Sequence, residues 1–191
     1  KGEFENLSWK KWKEVIEINL LGSVFLIKKI LPYFKKQNKG KIIQFAGGGA
    51  ASPFPFFTAY SASKVALVRF VENISIELKK SNILVNCIAP GPVNTRMLDE
   101  VISAGPKRVG KEFYKKSILQ KKIGGTDIKK INELVDFLSD DKSGFISGKL
   151  ISAQWDNWKQ FYLEKSKLIN SDVGTLRRIA GRDRKLKFFD K

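Results

Sequence analysis

The sequence predicts an α/β fold in which helices cover a parallel β-sheet, and three observations support this class. Helical periodicity alternates with short apolar runs in the order helix, strand, helix, strand, helix, strand, as in successive βαβ units. The apolar runs are almost continuous, which is typical of strands buried on both faces. The 191 residues, 42% of them hydrophobic, are enough for one domain with a buried core.

The first helix is predicted over residues 8–34. It follows Ser8, whose side chain can accept a hydrogen bond from the first turn, and Pro32 lies in its last turn. Charged residues separate apolar positions that recur every fourth residue: Trp12, Ile16, Leu20 and Val24. A turn then leads to the first predicted strand, residues 41–46, which ends at three consecutive glycines.

The second helix is predicted over residues 58–80. Its inward face carries a stripe of apolar residues at helical spacing: Leu67, Val71, Ile74 and Leu78. Residues 83–89 follow as a nearly unbroken apolar run that ends at a Pro-Gly-Pro sequence. This run predicts a second strand, buried on both faces.

Residues 94–125 are rich in lysine and interrupted by glycine and proline, so we interpret them as a loop with helical pieces. Thr126 is the predicted N-cap of a third helix that runs to residue 138. The inward face of that helix is predicted to hold Ile128, Ile131, Leu134, Val135 and Leu138. A polar turn precedes the last predicted strand, residues 149–154.

Two features predict that further chain precedes residue 1. The chain begins with Lys1 and its only methionine is Met97. The first strand would also be interior in a sheet of this kind, so these residues alone would leave an apolar strand edge unpaired. We therefore expect residues 1–155 to be the C-terminal part of an α/β domain and residues 156–191 to be a basic, aromatic extension.

The composition excludes several classes of function. The chain has no histidine and one cysteine, Cys87, which excludes Ser-His-Asp and Cys-His hydrolases, histidine-ligated zinc and cysteine clusters, so no metal site is predicted. The single cysteine fits a reducing compartment, and we expect a cytoplasmic location, although a disulfide-free secreted protein fits too. The longest apolar stretch, residues 18–27, is much shorter than the roughly 18 residues of a membrane span.

The chain is strongly basic, with 36 Lys and Arg against 19 Asp and Glu and a formal charge of +17. Such a charge suggests nucleic-acid binding, but most of the basic residues are lysines spread along the whole chain, many of them in adjacent pairs, which is typical of a solvated surface. The exception is a C-terminal cluster composed of Arg177, Arg178, Arg182, Arg184, Lys185 and Lys187. We interpret this cluster as a solvated tail or subunit contact, with a phosphate or nucleic-acid site as the weaker alternative.

Tyr60 and Lys64 form the first candidate catalytic pair. They are four residues apart at the start of the second predicted helix, so their polar groups can enter the same cleft. A free phenol titrates near pH 10, and a nearby cation would lower its pKa toward the range useful for acid-base catalysis. Alone the spacing is common on helices, where it usually means a tyrosine beside a solvated lysine.

Four motifs in the same order give this pair its context: Asn19-x-x-Gly22, Tyr60-Ser-Ala-Ser-Lys64, Asn86-x-Ile-x-Pro-Gly-x-Val-x-Thr95 and the segment Gly144 to Lys149. On these motifs the chain resembles the C-terminal two-thirds of a short-chain dehydrogenase/reductase over residues 5–155. The resemblance implies a Rossmann-like, doubly wound parallel sheet whose nucleotide-binding strands precede residue 1. It also implies an oxidoreductase that uses NAD or NADP on a small alcohol or carbonyl substrate.

The resemblance implies a role for each matched residue. Tyr60 would exchange the proton with the substrate, and Lys64 would bind the nicotinamide ribose and lower the pKa of the tyrosine. Asn19 would hold a water of the proton relay; the alternative is a helix-interior amide bonded to backbone. The nicotinamide pocket would be lined by Pro90, Gly91, Val93 and Thr95.

The resemblance also implies a substrate lid and a subunit interface. Residues 96–123 correspond to the lid, where Phe113 and Tyr114 either contact substrate or pack internally. The helices over residues 8–34 and 58–80 would pair in a homodimer or homotetramer.

The sequence departs from the family pattern in two places. A substrate-orienting serine is expected about 13 residues before the tyrosine, where this chain has Gly47, and the nearest serine, Ser52, is out of register. Loss of one such hydrogen-bond donor costs roughly 10²–10³ in rate in other enzymes. The phosphate-binding pattern Gly-x-x-x-Gly-x-Gly is absent from these residues. Two functions therefore remain open, an NAD(P)-dependent oxidoreductase and a catalytically lapsed binding or assembly subunit.

Overall fold

The structure, a computed structural model, describes residues 1–186, so Lys187 of the basic cluster and the end of the predicted extension lie outside the described residues. Its sheet has three parallel strands in the order β1-β2-β3. The strands are β1 (Gly40–Phe45), β2 (Ile83–Ala89) and β3 (Leu150–Ser152). The predicted α/β class with a parallel sheet is confirmed, and β3 is shorter than the predicted strand.

Helices connect and cover the strands. The first is one long helix made of α1 (Trp9–Ile16), a π-helical segment (Glu17–Gly22) and α2 (Ser23–Lys36). The others, in chain order, are α3 (Thr58–Glu77), α4 (Arg96–Ala104), α5 (Pro106–Val109), α6 (Lys111–Ile123), α7 (Ile128–Ser139) and α8 (Lys165–Ile169). Among residues 1–186, no helix combines the length and apolar character needed to span a membrane.

The first helix begins as predicted. The Ser8 hydroxyl accepts a hydrogen bond from the Lys11 amide at 3.5 Å, and the predicted apolar stripe is half-buried. The π-helical segment was not predicted. At its end the hydroxyl of Ser23, the first residue of α2, donates to the Asn19 carbonyl at 3.0 Å, a side-chain bond that competes with the backbone ladder of an α-helix.

The core lies on both faces of the sheet because side chains alternate along β2. On one face Val85 and Cys87 pack with α2 and α3 through Ile27, Val71 and Ile74. On the other face Ile88 packs with α7 and the C-terminal segment through Ile131, Leu134, Leu138, Trp158 and Leu168. This two-sided packing is the doubly wound arrangement that the resemblance implied.

Three predictions about the region after β2 differ from the structure. Within residues 94–125, predicted as a loop with helical pieces, helices cover residues 96–123 except Gly105 and Gly110, both at positive φ, where one helix ends and the next begins. The N-cap of α7 is Asp127, whose carboxylate accepts from the Lys129 amide at 2.9 Å, and not Thr126. Ile128, predicted to face inward, is exposed.

The chain after β3 packs against the domain. The Leu150 amide donates to the Gly174 carbonyl at 2.7 Å, so this segment covers the outer edge of β3. The Lys149 ammonium, almost completely buried, donates to the carbonyls of Ser171 and Val173 at 2.8 Å each. On the opposite side of the sheet, β1 has no strand partner on its outer edge among residues 1–186.

A buried carboxylate joins this segment to α3. Glu72 is only 7% exposed and lies between two guanidinium groups, Arg69 at 2.5 Å and Arg177 at 2.7 Å. Arg69 also donates to the Leu176 carbonyl at 2.5 Å. Arg177, which the sequence places in a solvated tail or subunit contact, is therefore part of an internal ion pair.

Candidate active site

Tyr60 lies in the first turn of α3 and borders a cleft of about 950 Å³. The opposite walls come from residues 1–8, from α1, and from α4 and α5 through Met97, Glu100, Lys107 and Arg108. Asn19 lines the same cleft from the π-helical segment. The structure thus brings two of the three sequence-predicted catalytic residues to one opening.

An aromatic cluster fixes the loop before Tyr60. Phe54 stacks on Phe57 with ring centroids 4.3 Å apart and meets the Tyr60 ring edge-on at 6.4 Å. Phe113 of α6 packs edge-on against both phenylalanines, at 4.9 and 5.4 Å. Of the two roles left open for Phe113, the structure shows internal packing, which ties α6 to the loop that positions Tyr60.

The electrostatics of Tyr60 and Lys64 differ from the sequence-based expectation. Burial raises the pKa of the Tyr60 phenol, whereas a lowered value was expected. The Lys64 ammonium lies 5.8 Å from the centroid of the Tyr60 ring and donates to the Phe45 carbonyl at 2.8 Å. Burial also lowers the pKa of Lys64. The cation is thus bound to the end of β1, and its effect on the phenol does not outweigh burial.

Asn19 is hydrogen-bonded to the helix that carries Tyr60. Its side-chain amide donates to the Ser63 hydroxyl at 3.2 Å, and Ser63 in turn donates to the Tyr60 carbonyl at 2.7 Å. The Asn19 side chain therefore bonds a hydroxyl and not the backbone group of the alternative interpretation. Sequence reasoning missed Ser63, which is fully buried; its position one turn after Tyr60 was the available signal.

Gly47 provides the space into which Tyr60 points. A Cβ atom built on Gly47 would lie 2.1 Å from the Tyr60 hydroxyl oxygen, far inside van der Waals contact. The phenol therefore occupies the volume that a side chain at this position would need. Ser52 is exposed in the loop.

The carboxyl ends of β1 and β2 lie side by side, because Phe45 and Ile88 are register partners in the parallel sheet. The residues that follow β2 therefore begin next to the end of β1. Gly91 has φ +81°, and a Cβ there would lie 2.3 Å from the Thr126 hydroxyl oxygen. That hydroxyl is buried and has no hydrogen-bond partner among residues 1–186. The sequence analysis assigned Thr126 to a helix cap and did not predict that its hydroxyl is buried next to Gly91.

This end of the sheet has groups that suit the nicotinamide half of a dinucleotide. Lys64 offers an ammonium group, Thr95 an exposed hydroxyl at the start of α4, and Thr126 a buried hydroxyl that has no partner among residues 1–186. Pro90, Gly91 and Val93 supply the adjacent backbone at the carboxyl end of β2, where open α/β sheets bind ligands. Within residues 1–186, no group of three or more Cys, Asp or Glu side chains is placed to hold a metal ion.

The geometry agrees with the comparisons to known proteins. A family model described as short chain dehydrogenase matches residues 1–105. "Dehydrogenase/reductase SDR family member 4" from Sus scrofa is 29% identical over 140 residues, covering 73% of this chain and 48% of that protein. The solved structure of levodione reductase has a TM-score of 0.68 and 23% identity, covering 80% of this chain and 59% of that one.

A structure of 4-hydroxyisoleucine dehydrogenase complexed with NADH has a TM-score of 0.62 and 24% identity, covering 79% of this chain and 61% of that one. At these identities the structures show a shared fold. The chain spans about half the length of the curated relatives it matches. Because the family model covers 105 of the 191 residues, the chain belongs to the short chain dehydrogenase family.

Proposed function

We propose that the protein containing this chain is a nicotinamide-dinucleotide-dependent oxidoreductase that interconverts an alcohol and a carbonyl group, with Tyr60 as the acid/base. The observation that carries the proposal is the position of the Tyr60 phenol, half-buried at a cleft of about 950 Å³ and followed one turn later by Lys64. Family membership supplies the reaction class.

Tyr60 exchanges the proton at its hydroxyl oxygen. Burial raises the pKa of this phenol, so it is protonated at neutral pH and suited to donate to a carbonyl oxygen during reduction. In the reverse direction the phenol must first release this proton to solvent, and its oxygen then takes the proton from an alcohol. Asn19, joined to the same helix turn through Ser63, would orient a water molecule that exchanges protons with bulk solvent.

The bound dinucleotide would supply or accept the hydride. Lys64 would hold its ribose, and the backbone of Pro90, Gly91 and Val93, with the hydroxyl of Thr95, would hold the nicotinamide. The buried hydroxyl of Thr126, unpaired among residues 1–186, is a further candidate for this contact. NAD and NADP are both open; the related 4-hydroxyisoleucine dehydrogenase was solved with NADH.

The test is Tyr60→Phe in the complete protein. We expect turnover of an alcohol substrate to fall below detection, while dinucleotide binding, measured by fluorescence titration, stays within about twofold. Tyr162→Phe, which changes an exposed tyrosine away from the cleft, is the matched control and should leave turnover unchanged. Retained turnover in Tyr60→Phe would remove Tyr60 from the mechanism.

A second candidate function is a catalytically lapsed binding or assembly subunit. Gly47 favours it, because no hydroxyl stands where the family has its serine. The exposed apolar face of the first helix also favours it, since Ile18, Leu21 and Phe25 offer a surface for a second copy in a homodimer or homotetramer. The cytoplasmic location expected from the single cysteine remains part of the proposal.

A further inference from the structure

The wall of the cleft formed by α5 is cationic. This four-residue helix, Pro-Lys-Arg-Val, places Lys107 and Arg108 on the cleft and is anchored by Val109, which is 1% exposed. Both cationic side chains are exposed, and among residues 1–186 neither forms a salt bridge. The cations are therefore available to a ligand in the cleft.

Three acidic side chains also line the cleft: Glu3, Glu14 and Glu100. Glu100 lies 3.5 Å from the Lys1 ammonium and 3.4 Å from Arg96, so its charge is compensated. The cleft has four cationic residues against these three carboxylates, and the two on α5 form no salt bridge within residues 1–186.

Cationic side chains from two elements line the cleft. Since Arg108 is on α5 and Lys11 is on α1, positive charge converges across the opening. A bound anion would relieve the repulsion between these charges.

We infer that the cleft takes substrates that carry an anionic group, a carboxylate or phosphate, and that Lys107 and Arg108 determine this preference. A guanidinium and an adjacent ammonium together suit either anion, and Arg can bind its oxygens in a bidentate manner. The inference rests on the proposed function, since it names the substrate class for the site of Tyr60. It is tested by binding, which requires no turnover.

Met97 provides the reporter. It is the only methionine of the chain, it lines the cleft and it is partly exposed, so its ¹³C-labelled methyl group gives an NMR signal for cleft occupancy. Met97→Leu distinguishes this signal from that of an added initiator methionine. The probes are 4-phenylbutyrate, 2-phenylethyl phosphate and the neutral 4-phenylbutanamide.

We expect an anionic probe to shift the Met97 signal at a concentration about tenfold lower than the neutral amide, at low salt. The better of the two anionic probes identifies the carboxylate or phosphate as the preferred group. In Lys107→Gln/Arg108→Gln the anionic and neutral probes should bind within about twofold of each other.

The control is Lys116→Gln/Lys122→Gln, which removes two exposed positive charges from α6 that do not line the cleft. This variant should keep the preference for the anion. The inference is overturned if neither anionic probe shifts the signal, if the α5 double variant keeps the preference, or if the control loses it to the same extent.

The binding result stands apart from the proposed reaction. An anion preference that persists in a Tyr60→Phe chain supports the inference whether or not the complete protein turns over. If the natural sequence shows no anion preference while Tyr60-dependent turnover is normal, the inference is overturned and the proposed reaction stays in place.

Discussion

At the scale of single residues, Gly47 lies against the hydroxyl of Tyr60, so substitutions at position 47 can test the two candidate functions. The phenol fills the space of a side chain at position 47, since a Cβ there would be 2.1 Å from its oxygen. A serine at this position would therefore add a hydrogen-bond donor and also displace the phenol. Any test must separate these two effects.

Gly47→Ala and Gly47→Ser make this separation, because both add the same Cβ. If the protein is an enzyme, we expect Gly47→Ala to lose turnover and Gly47→Ser to exceed the alanine variant by about 10²-fold, the typical worth of one such donor. Steady-state kinetics of the complete protein measures the ratio.

The control for this pair is Gly48→Ser, because a Cβ at Gly48 would meet only Phe54, at 3.7 Å. It should leave turnover close to that of the natural protein. Equal rates for the serine and alanine variants at position 47 would contradict a latent serine-dependent mechanism. No turnover in any variant or in the natural protein would favour the lapsed subunit.

The sequence predicted which residues meet at the cleft better than it predicted their electrostatics. Helical spacing places Tyr60 and Lys64 on one face, and the structure brings the ammonium to 5.8 Å from the ring centroid. The direction of the tyrosine pKa is set instead by burial, and the ammonium donates to the Phe45 carbonyl. That carbonyl is 19 residues away in the chain, so no local pattern reveals it.

At the scale of elements, the start of α7 shows how a cap can be misassigned by one residue. Both Thr126 and Asp127 have side chains that cap helices, and the sequence alone does not separate them. In the structure Asp127 caps the helix, and Thr126 is drawn inward, where its amide donates to the Pro92 carbonyl at 2.6 Å.

Asp127→Ala should lower the free energy of unfolding by about 1 kcal/mol, because it removes the cap of α7. Thr126→Val should cost less, since its hydroxyl makes no hydrogen bond within residues 1–186 and valine has nearly the same shape. Urea denaturation followed by circular dichroism measures both. A larger loss of stability for the Thr126 variant would indicate that Thr126, and not Asp127, caps α7.

The core elements were predictable because apolar periodicity reports burial directly. The stripe Leu67, Val71, Ile74 and Leu78 is buried, and β2 has the predicted bounds. The helices of residues 96–123 were harder to predict, because glycine and proline interrupt them and their buried positions Leu98, Val101 and Val109 are few. Val101 and Val109 pack with Phe57, which lies about 40 to 50 residues earlier in the chain.

At the scale of the whole molecule, a buried carboxylate joins the C-terminal segment to α3. Glu72 bonds Arg69 from its own helix and Arg177 from the segment, and the two ends of this contact are far apart in the sequence. Local charge patterning therefore predicted a solvated basic tail, and only tertiary structure reveals the internal pair.

Arg177→Ala should loosen the segment, because it leaves the buried Glu72 with one cation fewer. We expect a loss of stability of about 1–3 kcal/mol and clearly faster proteolysis within residues 170–186. Thermal unfolding and limited trypsin digestion with mass spectrometry measure these effects.

Arg184→Ala is the matched control, since it removes the same charge from the same segment and Arg184 is exposed. It should leave stability within about 0.5 kcal/mol. Similar proteolysis in both variants would show that Arg177 does not hold the segment.

The two edges of the sheet differ in whether their backbone groups are already hydrogen-bonded. The amide of Leu150 on the β3 side is already bonded to the Gly174 carbonyl, so it is not available to a further strand. Among residues 1–186 the β1 side still presents unpaired backbone groups. Within residues 1–186, a further strand can therefore pair with the sheet along β1 only.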